Sequence, residues 1–151
     1  MLAPVSSWIA LRGEWIEVRP SDVLPALALG VAVLLWVSGF DMIYACQDAD
    51  FDAARGLRSI PVRLGVAGAL RLAAACHFGM VVMLAALPWL CPQLPLSWIY
   101  LTAIGAVAGL LAYEHWLVRP DDLTRVNVAF FQVNAVVSIG LLIVASIDLL
   151  I

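Results

Sequence analysis

Apolar residues run along this chain in long, nearly unbroken stretches with short polar interruptions. Crossing a hydrocarbon core takes roughly 20 apolar residues in a helix. Four stretches are that long: Val23 to about Ala45, about Leu70 to Leu90, Leu96 to Val118, and Val126 to Leu150. Their spacing predicts about four full transmembrane helices, and the short connections predict antiparallel neighbours. The opening "MLAPVSSWIALRGEW" has no basic start, and Pro4, Ser6 and Ser7 interrupt its apolar run. It fits neither a signal peptide nor a span, and is expected to be the tail of a helix whose beginning is absent. The expected fold class is all-α: a polytopic membrane helix bundle with an N-terminal partial helix.

Composition sharpens this. Of 151 residues, 64% are hydrophobic and 13% charged, against roughly 45–50% and 25% in an ordinary soluble domain. All eight basic residues are arginine, and no basic patch with interleaved aromatics exists, which argues against nucleic-acid binding. Cys46, Cys76 and Cys91 form no CxxC pair and are expected to be small apolar residues.

The arginines set the topology. Arg55, Arg58, Arg63 and Arg71 follow the first stretch, and Arg119 and Arg125 follow the third, against Arg12 and Arg19 on the opposite side. The positive-inside rule places the first and third connections in the cytoplasm, with the chain in the cell (inner) membrane.

One cytoplasmic stretch stands apart. "DMIYACQDADFDAARGLRSIP", Asp41 to Pro61, carries four aspartates and two arginines amid apolar surroundings. If the first helix continued unbroken, Asp41, Tyr44, Asp48, Asp52 and Arg55 would fall within about 80° around its axis, with Asp50 opposite. Two readings are open. The charges are either solvated at a helix end, or an acidic stripe whose mutual repulsion calls for a cation. Magnesium suits the second reading, since it takes hard oxygen ligands from one or two carboxylates plus substrate phosphates. Arg55, Arg58 and Arg63 could then hold the remaining phosphate oxygens. Asp41 lies seven residues before Asp48, at a depth where an ionisable group points to function.

"DMIYACQDADFDAARGLRSIPVRLG" closely resembles the second aspartate-rich motif of the UbiA family of intramembrane aromatic prenyltransferases. Asp41, Tyr44, Ala45, Asp48, Asp52, Arg58, Ser59 and Gly65 fill that motif in register. "AYEHWLVRPDDLTRVNVAFFQVNAVVS" and "WIALRGEW" are similar to other segments of the family's C-terminal half. The resemblance implies a nine-helix fold around a cavity with two aspartate-rich motifs at its cytoplasmic end. It further implies bound magnesium, a polyprenyl diphosphate donor and an aromatic acid acceptor, most plausibly 4-hydroxybenzoate in quinone biosynthesis. Asp48 and Asp52 would be metal ligands, Arg55, Arg58, Arg63 and Ser59 would bind the diphosphate, and Asp41 and Tyr44 would be catalytic. The allylic carbon–oxygen bond would ionise and the cation alkylate the ring.

The family's first motif, N-D-x-x-D, is nowhere in these residues. The whole of 1–151 is therefore expected to be the C-terminal part of one domain, inactive alone, its missing N-terminal half lost or supplied by a partner. The alternative is a membrane fragment with only a packing role. A CDP-alcohol phosphotransferase is excluded, because no glycine follows an aspartate.

Lesser signals have plain expectations. Glu114 and His115 should be a solvated interfacial pair rather than a catalytic acid–base pair, and His77 a hydrogen-bonded packing histidine rather than a cavity-lining one. Asn127 and Asn134 should bond between helices, and Gly105 and Gly109 should mediate close helix packing. Trp8, Trp15, Trp89, Trp98 and Trp116 should form the interfacial belt, Trp36 should pack deeper, and Asp148 should lie at the far membrane surface.

Overall fold

The computed structural model describes residues 2–12, 20–92, 94, 96–148 and 150. Among them every regular element is helical. Helix α1 spans Leu2–Arg12 and α2 spans Pro20–Ala45. The chain then tightens into a 3₁₀ turn, Cys46–Asp48, and resumes as α3, Ala49–Ala54. Helix α4 covers Ile60–Leu90, α5 Trp98–Leu117, and a π-helical stretch, Val128–Val133, leads into α6, Asn134–Asp148. Trp15 and Arg19 lie outside the described residues.

Three helical stretches are long and apolar enough to cross a membrane: Val23–Ala54, Ile60–Leu90 and Phe130–Asp148. The sequence pattern predicts a fourth, α5. With 20 residues it reaches about 30 Å at 1.5 Å per residue. However, Tyr100, Thr102, Tyr113, Glu114 and His115 dilute its apolar character. Helix α4 also starts earlier than expected, because Pro61 sits in its first turn, where its missing N–H costs nothing. Arg63 thus belongs to a helix and not to a loop. Gly65, at φ 71°, kinks α4 after that first segment, a conformation glycine adopts without a Cβ clash.

Helix α2 packs along α4, and two heptad-like stripes build the core. On α4, Leu70, Ala73, His77, Met80, Leu84 and Leu87 are buried. On α5, Tyr100, Ile104, Val107, Leu111 and Glu114 are buried. Spacings alternating between three and four residues keep each stripe on one face. Lipid tails are as apolar as these side chains, so close packing and internal hydrogen bonds hold the helices together. Small residues permit the approach: a Cβ on Gly79 would sit 3.1 Å from Leu35 Cδ1. Tyr100 donates its hydroxyl to the Leu84 carbonyl at 3.0 Å.

The far end is clasped by Asp148. It is buried at 5% exposure, so at this end of the bundle it has an internal partner rather than solvent. Its carboxylate accepts from the Ser97 N–H at 2.8 Å and also from the Ser97 hydroxyl. Ser97 in turn caps α5, accepting from the Ile99 N–H. The orphan amides of that helix start explain the burial.

Other expectations divide. Trp89, Trp98 and Trp116 are exposed at helix ends, as an interfacial belt requires. Asn127 accepts from Gln47 across the bundle at 3.4 Å. By contrast, the Asn134 side chain accepts from Ser138 within its own helix. Gly105 and Gly109 mediate no close contact among the described residues: a Cβ on either meets nothing within 4 Å. The three cysteines are free thiols.

Candidate functional site

The helix that begins at Pro20 carries the charged stretch out of the bundle, but not as one regular helix. A 3₁₀ turn advances about 120° per residue where an α-helix advances about 100°. Three such residues, Cys46–Asp48, turn everything beyond them by about 60°. By that reckoning Asp41, Asp48 and Asp52 stay within about 80° of one another, while Tyr44 diverges to about 140° from Asp52. The expected stripe therefore widens, yet Asp48 and Asp52 remain one turn apart on a shared side.

Asp41, Asp48 and Asp50 are exposed and Asp52 is half-buried. Among the described residues none of the four makes an ion pair. The nearby arginines do not neutralise them: Arg55, Arg58 and Arg63 are exposed, and the Arg55 guanidinium lies 5.1 Å from the Phe51 ring. Gly56, at φ 68°, turns the chain after Arg55 and sends Arg58 and Ser59 toward the start of α4. The Ser59 hydroxyl is buried without a hydrogen-bond partner, and its carbonyl accepts from the Arg63 N–H at 3.1 Å.

Asp41 is set apart from Asp48 and Asp52. With Ser38, Met42 and Ala45 it faces Ile60, Pro61, Leu72 and Cys76 across an apolar cavity of about 400 Å³ between α2 and α4. Tyr44 is 42% exposed, and its ring lies 4.9 Å from that of Phe130. Among the described residues no three His, Cys, Asp or Glu side chains are placed to hold a metal ion together. Two unpaired carboxylates with open surroundings nonetheless fit magnesium, which needs only one or two when phosphates and water complete its shell.

On the same side, the connection after α5 turns at Asp122. Its carboxylate accepts from the Thr124 N–H and hydroxyl at 3.0 and 2.6 Å. The hydroxyl bond first, then the amide bond, hold this carboxyl below the usual range.

Sequence reasoning missed a second polar group. Glu114 is 0% exposed, contrary to the solvated pair expected of it and His115. His77 Nδ1 lies 3.0 Å from His115 Nε2 and 3.7 Å from Glu114 Oε2. The signal was in the heptads: Glu114 continues the α5 stripe and His77 sits inside the α4 stripe. Residues on a core face are buried whatever their polarity.

A comparison with protein families matches residues 1–136 to the UbiA prenyltransferase family. The chain belongs to that family. UbiA relatives include the mitochondrial 4-hydroxybenzoate polyprenyltransferase of Aedes aegypti, 30% identical over 95% of this chain and 32% of its own length. The 4-hydroxybenzoate octaprenyltransferase of Tolumonas auensis is 34% identical over 80% of the chain and 40% of its own. That of Aliivibrio fischeri is 32% identical, over 86% and 44%. The chain thus spans less than half the length of these UbiA relatives. No solved structure matches it.

Proposed function

We propose that the chain is the C-terminal part of a magnesium-dependent enzyme that transfers a polyprenyl group from its diphosphate to 4-hydroxybenzoate, in quinone biosynthesis. The observation that carries this reading is the pair Asp48 and Asp52. They lie one turn apart at an open helix end, without internal counter-ions, in a stretch that fills a family motif in register. Two uncompensated carboxylates at a membrane boundary are costly unless a cation joins them. Magnesium bound there would neutralise charge on the departing diphosphate.

The chain's own residues divide the remaining work. Arg55, Arg58 and Arg63, free of carboxylate partners among the described residues, hold the phosphate oxygens, and the Ser59 hydroxyl donates to one of them. Asp41 and Tyr44 face the reacting end of the donor and the aromatic acid. The apolar cavity that Asp41 lines would shelter an allylic cation from water and strengthen electrostatic contacts there. The motif lies on the cytoplasmic side of the cell membrane, in keeping with the arginine bias.

The test is transfer itself. Full-length protein in lipid nanodiscs should form prenylated 4-hydroxybenzoate with magnesium and none after chelation. Product formation insensitive to chelation, or no product with any aromatic acid, would contradict the proposal.

A further inference from the structure

The buried polar group between α2, α4 and α5 has its own chemistry, independent of the prenyl-transfer reading. His77 is 2% and Glu114 0% exposed. The Trp36 carbonyl can only accept, so the contact at 3.3 Å makes His77 Nε2 the donor. The His77 ring is pressed onto α2: a Cβ on Gly39 would fall 2.2 Å from its Cδ2 and Nε2, and the Phe40 ring centroid lies 4.7 Å away. With Nε2 committed, Nδ1 meets His115 Nε2 at 3.0 Å, which requires one hydrogen between the two nitrogens.

Glu114 supplies the constraint. Both of its oxygens are buried with no hydrogen-bond partner among the described residues, and its nearest positive candidate is His77 Nδ1 at 3.7 Å. An isolated buried carboxylate costs far more than a membrane bundle can offset, so it is either protonated or paired with a cation. No arginine lies within salt-bridge reach of it among the described residues. Helix α2 presents only the Trp36 carbonyl, Gly39 and the Phe40 ring. Helix α4 presents His77, while its neighbour Cys76 lines the separate cavity that Asp41 faces. Helix α5 presents Glu114 and His115. The roughly 260 Å³ cavity that both imidazoles line is otherwise apolar, walled by Ala74, Phe78, Val81 and Leu111.

Two arrangements fill the contact between the rings and leave no net buried charge. In one, Glu114 is protonated, His77 is neutral, and His115 Nε2–H donates to His77 Nδ1. In the other, the proton resides on His77, whose Nδ1–H donates to His115 and faces an ionised Glu114. They carry the same number of protons, differ in whether Glu114 or His77 holds the extra one and in the tautomer of His115, and both leave the net charge at zero. We propose that His77, Glu114 and His115 form an internal proton-binding site that holds one shared proton and pins α4 and α5 to α2, one turn before Asp41.

The test reads protons directly on full-length protein in nanodiscs. Nitrogen NMR of ¹⁵N-histidine-labelled protein reports each imidazole's charge, and infrared absorption reports whether Glu114 carries a protonated carboxyl, assigned by its loss in Glu114→Gln. One proton is expected in total: a carboxyl band with two neutral rings, or a carboxylate with one imidazolium. Replacing both rings (His77→Asn with His115→Gln) should leave the carboxyl protonated, and Glu114→Gln should leave both rings neutral. The proposal is overturned by an ionised Glu114 beside two neutral rings, or by a protonated Glu114 beside an imidazolium. It is equally overturned by an imidazolium that persists in Glu114→Gln. The wild-type count decides even if the double variant does not fold.

Discussion

Two polar regions lie close to the C-terminal part of α2, and they solve the problem of charge in a membrane protein in opposite ways. The stretch from Asp48 to Arg63 leaves its carboxylates and guanidiniums without ion-pair partners among the described residues, whereas His77 and Glu114 are buried inside the bundle with the half-buried His115 beside them. The first region is chemically incomplete and calls for a ligand. The second closes on itself, with a proton as its only guest. Polar residues in one helical bundle thus separate by what completes them: outside partners for the exposed motif, neighbouring helices for the buried cluster.

The contrast breaks first at the open region. Asp48→Ala in the full-length protein should lower turnover by roughly 10³-fold, since it removes electrostatic stabilisation of a departing dianionic group. Its thermal unfolding midpoint should hardly move, because the side chain is exposed and supports no packing. A turnover assay and a melting curve on one preparation check both halves. Equal loss of activity and stability would erase the distinction between the two regions.

The closed region should answer the other way. Gly39→Ala drives a methyl into the His77 ring, and such overpacking typically costs about 1–3 kcal/mol. Unfolding in denaturant should register that loss, and the His77–Trp36 hydrogen bond should weaken in the nitrogen NMR. Asp148→Ala offers a control far from both regions. It strands the Ser97 amide and hydroxyl that the carboxylate receives, for about 1–3 kcal/mol. Turnover per folded molecule should be unchanged.

The smallest effect belongs to Gly105→Ala. Open space surrounds that position, so exchanging glycine for a better helix former should be neutral or stabilising, by up to about 1 kcal/mol. Destabilisation would mean that a segment outside these residues packs there.

The sequence made the bundle legible because apolar stretches of membrane length have few other fates. The motif was legible because its spacing is long and specific. What escaped has physical causes. The 3₁₀ turn at Cys46–Asp48 leaves no mark in composition, so a regular helix gathers Tyr44 too close to the aspartates. The charge of Glu114 and its nearness to a helix end predict solvent, yet its register with Leu111 and Val107 places it inward. The pairing of Asp148 is invisible in the sequence because its partner Ser97 lies 51 residues away. Pairings across such distances emerge only when helices pack.

Metal-dependent binding of the donor tests the central claim most directly. Titration of full-length protein with a non-hydrolysable polyprenyl diphosphate analogue, with and without magnesium, should show binding that needs the metal. Asp48→Asn and Asp52→Asn should each weaken that binding by roughly 100-fold, because a neutral amide cannot replace a carboxylate ligand. Binding of equal strength in the wild type and both variants, or without magnesium, would contradict the assignment of these two aspartates.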